Sequence, residues 1–85
     1  MMFKNSVKIG KDTFYVKDGY IYKNPRFDED GNIRTWKDMV PLDYEKGKYF
    51  KSIQQHSIVE DRIMVEHIGR SDIYDLDLNL LGYFY

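Results

Sequence analysis

Apolar residues recur along much of this chain at every second position, the period of a strand with one buried face. The stretches "TFYVK" and "YIYK" flank Asp18-Gly19, and Asp-Gly suits a two-residue type I′ turn, which needs φ > 0 at both central positions. The predicted hairpin pairs Lys17 with Tyr20, Val16 with Ile21 and Tyr15 with Tyr22. Upstream, "GKDT" (residues 10–13) reads as a four-residue turn that sets Ile9 opposite Phe14 and Val7 opposite Val16. In this three-stranded meander Phe3, Val7, Ile9, Phe14, Val16 and Ile21 share a core face. Lys4, Lys8, Tyr15, Lys17, Tyr20 and Tyr22 share the other. A one-residue slip would exchange the two sets, so the apolar set fixes which face is inside.

Beyond Asn24-Pro25 the chain turns again at Asp30-Gly31, with residues 33–36 as the next strand. Residues 48–56 space Tyr49, Phe50 and Ile53 for a short helix, which Gly47 bounds because glycine weakens a helix interior. "HSIVEDRIMVEHIG" predicts two strands around Glu60-Asp61. In the closing "IYDLDLNLLGYFY", Tyr74, Leu76, Leu78 and Leu80 alternate with Asp75, Asp77 and Asn79, which predicts one amphipathic strand. From Leu81 on, both sides are apolar apart from Gly82, a candidate bulge. The expectation is a single mainly β domain over residues 1–85. Its form is a small antiparallel barrel or a strongly curved meander sheet of about six strands, with room for one short helix. The alternative is an α+β sheet with a helix over it.

Composition supports strands: alanine is absent and there are eight tyrosines and five phenylalanines. Without cysteine, no disulfide can staple a chain that buries only about 60–65% of its unfolded surface. This absence, with no apolar leader and no long apolar run, points to a cytoplasmic protein. The bias toward Lys, Ile, Tyr, Asn and Phe fits A+T-rich codons, hence a low-GC bacterium or its phage. Net charge is −1, which favours neither a nucleic-acid binder nor an acidic mimic. Residues 1–42 hold eight Lys/Arg against six Asp/Glu and residues 43–85 five against eight, a mild asymmetry that solvation explains.

Few residues carry chemistry. A calcium loop aligned on Gly31 would place Arg26 and Lys37 where the first and last oxygen ligands belong, so Asp28 and Asp30 read as turn residues. His56 and His67 lack the spacing of a zinc site, and no cysteine completes one. Ser52 and Ser57 neighbour His56 only along the chain, and Asp75 and Asp77 have little cleft to work in. The sequence therefore predicts a protein that is not an enzyme and needs no cofactor or metal. The acidic residues Glu60, Asp61, Glu66, Asp72, Asp75 and Asp77 read as a solvated sheet face.

The positive signal is a surface. Tyr15, Lys17, Tyr20 and Tyr22 on one sheet face, Arg34 beside Trp36, and Tyr83 and Tyr85 near the C-terminus are the candidate partner-binding residues, tyrosine, tryptophan and arginine being enriched at interfaces. The expected function is a small binding protein, a phage- or bacterium-encoded regulator or inhibitor acting by protein–protein contact. The alternatives are a small barrel binding single-stranded nucleic acid through its Tyr/Lys face, with Lys8 included, and a homo-oligomeric structural protein held by its C-terminal strand.

Overall fold

In a computed structural model the described residues, 4–85, form ten antiparallel strands in three open sheets. Phe3 lies outside the described residues. The first sheet has the order β1 (Ser6–Ile9), β2 (Asp12–Lys17), β3 (Tyr20–Lys23), β6 (Asp38–Pro41). Between β3 and β6, β4 (Arg26–Phe27) and β5 (Ile33–Thr35) form a two-stranded hairpin of their own. The second sheet is a meander of β7 (Phe50–Gln55), β8 (Arg62–His67), β9 (Arg70–Asp75) and β10 (Leu80–Phe84). No closed barrel and no α-helix occur among the described residues, so the barrel and the α+β alternative both give way to open sheets.

The sheets turn their apolar faces together. Val7, Ile9, Phe14, Val16 and Ile21 from the first meet Ile53, Ile63, Val65 and Tyr74 from the second, with Leu42 and Leu78 from the connections. The hairpin at Asp18-Gly19 has the expected register, and Asp18 and Gly19 both take positive φ. The preceding turn is tighter than expected. Val7 faces Phe14 and Ile9 faces Asp12, because the turn holds only Gly10 and Lys11. The shift is two residues, so side chains keep their faces and the core set survives.

Residues 48–56 are strand rather than helix: β7 covers most of the segment, and a single 3-10 turn at Glu45–Gly47 precedes it. Pairing with β8 outweighs the local helical spacing, since Ile53 lies opposite Val65 in a fully buried position. Residues 56–61 are a loop and not the first of two strands. The imidazole of His56 organises it, Nδ1 accepting the N–H groups of Ile58 and Val59 at 3.0 Å each.

The closing strand is also corrected. The chain turns over residues 76–79, and the alternating leucines and aspartates are a hairpin loop. The same loop occurs earlier. In both Asp28-x-Asp30-x-Asn32 and Asp75-x-Asp77-x-Asn79 the first aspartate accepts the N–H groups of the third and fifth residues through Oδ1, at 2.8–2.9 Å. Main-chain bonds close each loop from Asp28 N to Asn32 O and from Asp75 N to Asn79 O. Each loop needs a left-handed fourth residue. Gly31 meets this freely, whereas Leu78 does so at φ +66 with its side chain buried, so apolar burial offsets a strain of about 1–2 kcal/mol. The hydrogen bonds from Asn79 and Asp77 outweigh the effect of burial on Asp75 and hold its carboxyl below the usual range.

Candidate protein-interaction surfaces and the buried ion network

The sequence-predicted residues fall on two separate surfaces. On the outer face of the first sheet, Tyr15 and Tyr22 are directly opposite cross-strand partners. The bend at Asn24, which has φ +52, and Pro25 returns the β4–β5 arm over this face. Phe27 then meets Tyr15 edge-to-face at 5.3 Å and Trp36 meets Tyr22 at 5.5 Å. The result is a continuous row Phe27–Tyr15–Tyr22–Trp36, each edge-to-face pair contributing about 0.5–1.5 kcal/mol beyond area burial. Its ends stay open: Phe27 is 46% and Trp36 47% exposed. Tyr20 and the basic Lys8, Arg26 and Arg34 are exposed, and Lys17 is half-buried. Asn24 fixes the bend by accepting the Thr13 N–H and donating to Asp12, and the bond from Asn24 lowers the pKa of the Asp12 carboxyl.

Tyr83 and Tyr85 belong to the other surface, strand β10 and its end, where the two rings meet edge-to-face at 5.9 Å. Both tyrosines are at least half exposed.

Between the sheets lies a polar cluster that the sequence reading missed. Asp72 projects from β9 into the core and is fully buried. It accepts from Arg70 Nε at 2.6 Å and pairs with His67 Nε2 at 3.2 Å. Arg70 reaches on to Asp43 at 2.5 Å. Its guanidinium lies between Tyr44 and Tyr83, 5.0 and 3.9 Å from the ring centres. The Asp43 N–H donates to the Tyr74 hydroxyl, and burial pushes the pKa of that phenol up. At another place Lys23, also buried, donates to the Leu76 carbonyl at 2.7 Å and joins β3 to the β9–β10 loop. Asp72 is not part of the solvated acidic face expected from the sequence, since alternation with Tyr74 turns it inward. His56 lies in its own loop and His67 in the core, and no group of three His, Asp or Glu among the described residues could hold a metal.

Because Asp72 is acceptor-only when ionised, His67 carries its proton on Nε2 and leaves Nδ1 as a bare, buried atom without a partner. A second proton on Nδ1 would also lack an acceptor, and burial lowers the His67 pKa despite the opposing pull of Asp72. The native state thus holds His67 neutral, while the unfolded chain binds its proton near the ordinary value of about 6.5. The stability tied to this histidine is complete above that pH and falls as pH drops below it, by at most about 1.4 kcal/mol per pH unit. In urea unfolding between pH 7 and 5, His67→Gln is expected to flatten the pH slope, since glutamine still donates to Asp72 but does not titrate. Equal slopes in the two proteins would refute the assignment.

No protein-family model, no curated protein and no solved structure matches this chain.

Proposed function

We propose that this chain is a non-enzymatic protein-binding module, a bacterial or phage regulator or inhibitor that works by occupying its partner. The observation that carries the reading is the row Phe27–Tyr15–Tyr22–Trp36, anchored on the first sheet and open at both ends. Aromatic side chains held rigid before binding lose little entropy on docking, which is the property of interface anchors. The exposed Arg26, Arg34 and Lys8 beside them favour an acidic rim on the partner. Tyr15 is engaged by Phe27 and Tyr22 by Trp36, which leaves both poorly splayed for stacking bases, and the net charge of −1 gives phosphates no general attraction.

The test uses the single tryptophan and a paired variant. Phe27→Ser with Trp36→Ser removes both edge-to-face pairs, about 1–3 kcal/mol beyond area burial. Its thermal midpoint is expected to fall by at least about 4–8 °C, and capture is compared at a temperature where circular dichroism shows both proteins folded. Immobilised wild-type protein is expected to retain one acidic protein from a low-GC bacterial lysate, and the double variant to lose at least about tenfold of it. Oligo-dT and oligo-U are expected to leave Trp36 fluorescence unchanged at low salt. Quenching that disappears with rising salt, together with equal capture by both proteins, would replace this reading with single-strand binding.

A further inference from the structure

Among the described residues the two four-stranded sheets have four edges, and three of them are managed. The edges at β1 and β7 lie against each other, with the Ile53 N–H donating to the Lys4 carbonyl at 2.9 Å. The edge at β6 carries Asp38 and Pro41, a charge and a residue without a donor, the usual guards of an open edge. The edge at β10 has neither, and its one irregularity is a bulge at Leu81, where pairing with β9 steps from Leu80–Tyr74 to Gly82–Ile73. Its five residues, "LLGYF", include no charge and no proline. Leu81 is 51%, Tyr83 53% and Phe84 50% exposed, and Tyr85 just beyond is 88% exposed. Pairing with β9 places Tyr83 opposite the core-facing Asp72 and Phe84 opposite Ser71. Apolar groups therefore stand open on both faces of this edge.

We infer that β10 is the interface of a symmetric homodimer, in which it pairs antiparallel with β10 of a second copy about a twofold axis at Gly82. The strand reads the same in both directions in the property that matters. An axis at its central residue sets Leu81 against Tyr83, while the bulge between Leu80 and Gly82 leaves Leu80 and Phe84 on opposite faces, so every group near the axis is apolar and no like charges are opposed. Gly82 has open space where a Cβ would stand and takes no positive φ, so nothing in its own chain obstructs the approach. Aromatic side chains span about 150–250 Å² each, so the exposed parts of Leu80 to Tyr85 leave roughly 500–600 Å² per copy. Two copies would bury at most about 1,000–1,200 Å², the low end for a specific interface. Joining two second sheets in this way makes one continuous eight-stranded sheet. The surface is distinct from the aromatic row of the first sheet, so this inference stands or falls independently of the proposed partner.

The chain has no cysteine, which makes a single introduced thiol decisive. Opposed residues of antiparallel strands lie about 4.5–5.5 Å apart at Cα, within the span of a disulfide. Full-length Gly82→Cys is expected to oxidise to a covalent dimer at least about tenfold faster than Lys8→Cys on β1. Light scattering of the unmodified protein is expected to give twice the chain mass of 10.3 kDa. Gly82→Lys, which opposes two ammonium groups at the axis, is expected to restore the single mass with an unchanged circular dichroism spectrum. A single-chain mass for the unmodified protein at millimolar concentration overturns the dimer. A doubled mass with no preference for linking through residue 82 overturns its geometry.

Discussion

Asp72→Ala is expected to remove about 3–5 kcal/mol of stability, the cost of breaking a buried ion pair from one side. In a domain of this size, total stability is on the order of 4–13 kcal/mol, so the loss is a large share of the whole and is read as a marked fall in the urea midpoint. Asp72 accepts two donors at once, from Arg70 and His67, and its side chain is wholly buried. Without it the Arg70 guanidinium keeps only Asp43, which is half exposed, and His67 has no partner for either ring nitrogen. Replacing both ends of the pair behaves differently, because no uncompensated charge is left inside. Asp72→Ala with Arg70→Met is therefore expected to be more stable than Asp72→Ala alone, a non-additivity readable in a double-mutant cycle from urea midpoints. A midpoint for Asp72→Ala within error of wild type would show that the network carries no stability.

The network also marks where sequence reading succeeds and where it stops. The first hairpin was legible because Asp-Gly demands one turn, and apolar alternation at Val16 and Ile21 then leaves one choice of face. The turn at Gly10 was misjudged by two residues without consequence for the core, because strand faces repeat every two residues. The loop at residues 76–79 was not legible as a loop. Its leucines alternate as a strand's would, and the signal for a turn lay in the Asp-x-Asp-x-Asn spacing shared with residues 28–32, which side-chain-to-backbone bonds enforce. For Asp72 charge outweighed periodicity in the reading, while in the fold the carboxylate finds Arg70 and His67 and periodicity prevails. Of the candidate surface, Tyr15, Tyr22 and Trp36 do come together, but Phe27 was missed because only the bend at Asn24 brings its ring back.

The second large effect is expected at Gly19. Its φ of +86 alone would cost alanine about 1–2 kcal/mol. The surroundings add to that. A Cβ at Gly19 would collide with the Lys46 carbonyl oxygen, and one at Gly47 would lie 3.0 Å from the Gly19 Cα. The β2–β3 turn and the Glu45–Gly47 turn are thus pressed backbone to backbone, and the Leu42 N–H donates to the Gly19 carbonyl at 2.8 Å beside them. This docking accounts for Glu45, Lys46 and Gly47 all taking positive φ in succession, a run that two non-glycine residues tolerate only under tertiary constraint. Gly19→Ala must therefore displace main chain, for a total of roughly 3 kcal/mol. Gly31→Ala is the control. It has nearly the same φ, +82, but open space around the new methyl group, so it should cost only the conformational term. Chemical denaturation of the two variants separates the contributions. A clear excess for Gly19→Ala measures how tightly the two turns are docked, and equal losses would mean that the 3-10 turn yields freely and its left-handed run has another cause.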